Sequence, residues 1–155
     1  MLQFALRVVI EQAYERIRTV RIGPQQLTFA EGLRAALLEL LPFDATRQAE
    51  ARIWVAFYAR AAVETEFADM LRELDREATA NLRAALEYAE SVGELSPGQD
   101  HDALARLIIG IVDGLMWAAL IHEVEAPTRI QEAVDTAVRL IAPGGGHGSS
   151  PTASA

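Results

Sequence analysis

The chain has 155 residues, enough for one domain with a sizeable core, and 51% of it is hydrophobic, which excludes disorder throughout. Twenty-two acidic against fourteen basic residues give a net charge of −8, which argues against nucleic acid or an anionic membrane as a direct partner of this chain. Every base is arginine and no cysteine is present, which removes Schiff-base and P-loop lysines, disulfides, thiolate metal sites and cysteine nucleophiles.

The opening MLQFALRVVIEQAYERIRTV places Leu2, Leu6, Val9, Ala13, Ile17 and Val20 at steps of three and four, with Arg7, Glu11, Glu15 and Arg18 on other faces. That is the period of an amphipathic helix, not the layout of a secretory signal, and a cytoplasmic location is expected. The apolar stripe starts at residue 2 with no capping side chain, as a helix entered in mid-fold would, and Gly23–Pro24 ends it. Thr28 and Glu31 have capping-box spacing for a second helix, which Pro42 closes. Asp44 caps a third. Between Ile53 and Val63 only Arg60 is charged, which predicts a helix through the centre of the domain with a break near Glu64–Thr65.

A fourth helix runs from Glu66 to about Ser91 on a stripe of Phe67, Met70, Leu71, Leu74, Ala78, Leu82, Ala85 and Leu86. Asp69–Arg72, Glu73–Arg76 and Arg83–Glu87 can pair on its outside, and Gly93 ends it. The fifth helix extends from about Asp102 to His122. The sixth follows Pro127, is capped by Thr128 with Gln131, and carries Ile130, Ala133, Val134, Ala137, Val138 and Ile141 on one face. The ending APGGGHGSSPTASA has nothing to bury, so a domain over 1–142 and a disordered tail over 143–155 are expected. With no strand period anywhere, the fold class is an all-α bundle of six helices.

Residues 107–121, LIIGIVDGLMWAALI, are almost unbroken hydrocarbon with Asp113 and Gly114 at the centre. The stretch is too short, and too charged in the middle, to be read as a membrane span. A water-soluble helix apolar on every side must be covered on every side. Leu104, Ile108, Ile111, Leu115 and Ala119 can meet the other helices of the chain, while Gly110, Gly114 and Ala118 form a column of small residues that lets another helix come close. That other helix is either the sixth of the same chain or a helix of a second copy. The expectation is a homodimer in which the last two helices of each chain form a four-helix seam through Gly110, Asp113, Gly114, Trp117, Ala118, Ile130, Val134, Ala137 and Ile141. Near the two-fold axis Asp113 would bond a hydroxyl, the Trp117 indole or an arginine, with Arg60 and Arg106 as candidates.

Catalytic patterns do not emerge. HEVEA, His122 to Ala126, is half of a zinc signature whose second histidine position is alanine, and neither His101 nor His122 is preceded by the glutamate of a di-iron pair. His147 falls in the tail, GGGHGSS has neither the lysine nor the helix of a phosphate loop, and no serine stands in a nucleophile elbow. The carboxylates fall on solvated helix faces. No metal, no cofactor and no enzymatic activity are expected.

The stretches EARIWVAFYARAAVETEFADML, LRAALEYAESVGEL and ALARLIIGIVDGLMWAALI, in this order and spacing, resemble the C-terminal, effector-binding and dimerisation half of TetR-family transcriptional repressors, the betaine-repressor-like subgroup in particular. Val112 to Leu115 correspond to that subgroup's VDGL helix, and the resemblance covers roughly residues 2 to 142. It implies a ligand-sensing and dimerisation domain with the N-terminal helix-turn-helix head absent from this chain, so that the chain alone does not bind DNA. It also implies a cavity for a small, largely apolar effector, for which Trp54, Phe57, Tyr58, Phe67, Met70, Tyr88, Met116 and Trp117 are the candidate lining residues. The alternative is a headless dimerisation or interaction module with no small-molecule effector.

Overall fold

The computed structural model of the chain describes residues 1–121 and 126–143. Among them run six helices: α1 (Leu2–Arg18), α2 (Phe29–Leu40), α3 (Ala45–Ala61), α4 (Thr65–Ser91), α5 (His101–Ile121) and α6 (Ala126–Ile141). Capping chemistry sets several of their ends. The Thr28 hydroxyl accepts from the Glu31 N–H at 3.3 Å while the Glu31 carboxylate accepts from the Thr28 N–H at 2.8 Å, closing the expected box. Glu94, from the loop after α4, takes the neighbouring Phe29 N–H as well. Asp44 accepts from the Arg47 N–H at 2.8 Å to start α3, and Asp100 from the Ala103 N–H at 3.0 Å to start α5. Past the end of α4, Gly93 turns the chain at φ +79°, a conformation that other residues adopt only at a cost.

The beginning of α6 differs from expectation. The helix starts at Ala126, so Pro127 and Thr128 lie inside its first turn and Thr128 is not the cap. Proline is tolerated there because a first-turn N–H has no intrahelical partner to lose. His122, His147 and all of the expected tail except Pro143 lie outside the described residues.

Two hydrophobic cores hold the bundle. The larger joins Phe29, Leu33 and Leu37 of α2, Leu86 and Ala89 of α4, Ala105, Ile108 and Met116 of α5, and Ile130, Val134, Val138 and Ile141 of α6. The smaller, at the other end, joins Leu6 of α1, Phe57 of α3 and Phe67 of α4, with Met70, Leu71 and Leu74 packed against it. Trp54 touches both. The loop between α1 and α2 folds back onto α2 at Gly32, where a Cβ would lie 2.2 Å from the Ile22 side chain, so only glycine permits the approach.

Against expectation, α3 does not run through the centre. It packs on α1, α4 and α5, yet Arg52, Ala56, Ala59 and Arg60 face solvent. Alanines account for much of its apolar look, and their small side chains lose little by meeting water. The three surface pairs expected on α4 are formed: Asp69–Arg72 at 2.7 Å, Glu73–Arg76 at 2.5 Å and Arg83–Glu87 at 2.8 Å. Not every carboxylate is solvated, however. Glu50 is only 7% exposed and receives both prongs of the Arg16 guanidinium, at 3.0 and 2.6 Å, tying α3 to α1. By length and composition α5 could cross a bilayer; in this chain it packs along α4 and α6.

Candidate ligand-binding cavity

Between the two cores lies a cavity of about 710 Å³, lined by five of the six helices. From α1 come Ile10, Ala13, Tyr14 and Ile17, the turn-by-turn neighbours of the buried Leu6 and Val9 stripe. Leu33, Ala36, Leu37 and Leu40 of α2 form a second wall, Leu71, Leu74, Ala78 and Leu82 of α4 a third, and Ile108, Ile109, Val112 and Met116 of α5 a fourth. Trp54 and Tyr58, one turn apart on α3, bring two rings to 6.1 Å between centroids. Many of the side chains along these walls are alanines, Ala13, Ala36, Ala61, Ala68 and Ala78 among them, too short to fill the gap. Its volume falls in the range of small-molecule sites, about 300 to 1,000 Å³.

Polar groups are few in this wall: Tyr14, Tyr58, Arg72, Asp75, Asn81 and Asp113. The Tyr58 hydroxyl donates to the Asp113 carboxylate, at 3.3 and 3.2 Å from its two oxygens. Asp113 thus finds a hydroxyl partner, but inside the chain and at the cavity wall. Of the other candidates, Arg60 pairs with Glu64 at 3.0 Å and lies over the Phe67 ring, while Arg106 and Trp117 are exposed. Burial raises the Asp113 carboxyl above its usual range; the Tyr58 hydrogen bond lowers it in part and the Asp75 charge raises it further. The Tyr58 phenol is pushed up by burial and by the charge of Asp113.

Of the eight side chains expected to line a cavity, Trp54, Tyr58 and Met116 do. Phe57 is fully buried in the small core with Phe67, and Met70 packs against them. Tyr88 is exposed near the loop between α1 and α2, and Trp117 is 41% exposed on the far side of α5. The α1 and α2 walls were not anticipated. A helical period shows that Ala13 and Ile17 face inward, and nothing in it separates a residue that fills a core from one that borders a gap.

The expected seam residues also divide. Ile130, Val134 and Ile141 are buried within the chain, Val134 completely, because α6 spends its apolar stripe against α2 and α5. These three are covered within the chain. The glycine column is open: a Cβ at Gly110 or Gly114 would meet nothing within 4 Å. Around it Leu107 (52% exposed), Trp117 and Ile121 (62% exposed) continue the line, so that residues 107, 110, 114, 117 and 121 make one solvent-facing apolar stripe at alternating steps of three and four.

Solved transcriptional regulators share this architecture. One from Rhodococcus sp. Rha1 matches with a TM-score of 0.76 at 30% identity, over 91% of this chain and 71% of that one. A chain described as a TetR-family transcriptional regulator, also from Rhodococcus sp., shares the fold with a TM-score of 0.78 at 18% identity, over 88% of this chain and 71% of that one. These neighbours, like the family matched next, are transcriptional regulators and not enzymes. More narrowly, the family of the BetI-type transcriptional repressor C-terminal region matches residues 29–143, and this chain belongs to it. The HTH-type transcriptional regulator PksA of Bacillus subtilis (strain 168) is 26% identical over 124 residues, 80% of this chain. The chain spans 58% of the length of that relative.

Proposed function

We propose that this domain senses a small, largely apolar effector in the inter-helix cavity and pairs with a second copy of itself through the open face of α5. It does so in the cytoplasm, as part of a repressor whose DNA contacts are made outside the domain. The observation that carries this reading is the cavity wall itself. Four residues of α1 border it, so an occupant touches the first helix as well as α5, and binding at the cavity has a mechanical route to the end of the domain. The exposed stripe of α5 supports pairing, since contiguous apolar surface on a folded chain marks an interaction site. Acidic charge and the lack of a basic reading helix support the absence of DNA binding by this chain alone.

Two measurements test the proposal. A thermal-shift screen of hydrophobic and cationic small molecules is expected to yield compounds that stabilise the chain; a ligand at a hundred times its dissociation constant adds about 2.7 kcal/mol. Sedimentation is expected to show a dimer at tens of micromolar, weakened by Gly114→Leu. A Cβ at Gly114 meets nothing within 4 Å inside the chain, so a loss of pairing with unchanged helicity isolates the seam. A monomeric wild type would refute the pairing. A dimer that no compound stabilises would favour an interaction module without an effector.

A further inference from the structure

We infer that the cavity takes a ligand whose apolar body carries a protonated amine, seated with its N–H donors against the Asp113 carboxylate. The inference rests on the cavity being an effector site and adds the chemical class of the effector.

The charges around the cavity do not balance within the chain. Two carboxylates, Asp75 and Asp113, and one guanidinium, Arg72, lie in its wall. Arg72 is already engaged, donating to Asp69 at 2.7 Å and to the Ala68 carbonyl at 3.3 Å. Asp113 has one hydrogen-bond donor among the described residues, the Tyr58 hydroxyl, which brings a single proton to two oxygens. An ionised carboxylate accepts about four hydrogen bonds, and the leucine, isoleucine and alanine walls around it donate none.

Each ligand class meets this arrangement differently. A pure hydrocarbon would strip water from Asp113 and return nothing, which is costly for a charged group. A carboxylate ligand would add repulsion from both aspartates. An alcohol could give one neutral hydrogen bond. A protonated amine gives several charge-assisted donors, roughly twice as strong as neutral ones, and it offsets the negative potential that Asp75 already adds at Asp113 and Tyr58. A quaternary ammonium would bring the charge without the donors. The titratable and charged groups that share the cavity wall with Asp113 are Tyr14 of α1, Tyr58 of α3, and Arg72 and Asp75 of α4; of these, Tyr58 bonds to it and the Asp75 charge acts on it. Burial raises the Asp113 carboxyl, so amine affinity is expected to fall as the pH drops and Asp113 takes up a proton.

The test is calorimetry on the full chain with four probes that share one body: 3,3-diphenylpropylamine, its N,N,N-trimethylammonium analogue, 3,3-diphenylpropan-1-ol and 3,3-diphenylpropanoate. The amine is expected to bind about tenfold or more tighter than the alcohol, the scale of a hydrogen bond to a charged group. Asp113→Asn is expected to bring the amine-to-alcohol ratio close to one. Asp75→Asn, at a solvent-exposed position where folding is not at stake, should narrow that ratio several-fold and keeps the test intact should the first variant misfold. An alcohol or quaternary analogue equal to the amine, or a carboxylate that binds better, would overturn the amine and leave the effector site standing. Failure of all four probes at millimolar concentration would overturn both.

Discussion

Burial, with the Asp75 charge adding to it, holds the Asp113 carboxyl above the usual carboxylate range, and the Tyr58 hydroxyl offsets only part of this. A carboxyl raised on folding holds protons that the unfolded chain has released, so its contribution to stability falls as the pH rises. The penalty is absent below the ordinary carboxylate pKa, grows above it, and is complete once Asp113 has ionised in the folded chain. Asp113→Asn should therefore melt higher than wild type at about pH 7.5, by a margin that shrinks toward about pH 4; equal melting temperatures across that range would refute the assignment. The aromatic residues yield a second contrast. Phe57 is fully buried, so Phe57→Ala is expected to cost about 3 to 5 kcal/mol in denaturant unfolding. Trp54 already borders empty space, so Trp54→Ala should cost less and instead weaken ligand binding; equal losses of stability would place Trp54 in the core. Sequence alone singled out both residues and could not separate them, since an aromatic at a helical step is compatible with filling a core or bordering a cavity. Asp113 and Gly114 were conspicuous because each is expensive in a helix, and expense is legible where packing is not.

Helices carried more of their own description. The Thr28–Glu31 box, the Asp44 cap, the break before Thr65 and the Gly93 stop all rest on contacts within a few residues, and such contacts can be read from spacing. Partnerships between helices cannot. The Arg16–Glu50 pair spans 34 positions, and no period announces it; it anchors α1 to α3 within the stretch of α1 that faces the cavity. Removing the arginine leaves a buried carboxylate alone. Arg16→Ala is thus expected to cost about 3 kcal/mol, the low end of the range for a broken buried pair because Arg16 is partly exposed. A cost below about 1 kcal/mol in urea unfolding would rank the pair with ordinary surface bridges. The stripe of α6 was legible as a stripe, but its destination was not: α2 and α5 of the same chain cover it. The open face of α5 shows only in the packing: Leu107, Trp117 and Ile121 stay exposed on it, beside the open positions of Gly110 and Gly114.

Across the whole molecule, the division into two cores makes room for the cavity, and α5 borders the larger core, the cavity and the exposed stripe along its 21 residues. Asp113 and Gly114 are consecutive, yet one lies on the cavity wall and the other opens to solvent. An α-helix turns about 100° per residue, so the two surfaces are set by the register of one rigid rod and cannot move independently. Two equilibria that share such a rod are bound by reciprocity: whatever factor an occupant of the cavity applies to self-association, self-association must apply to the occupant. Ligand affinity should then depend on protein concentration, differing above and below the dissociation constant of the pair, and Gly114→Leu should hold it at the dilute value at every concentration. An affinity identical at both ends of that range would mean that α5 carries its two surfaces side by side without passing anything between them.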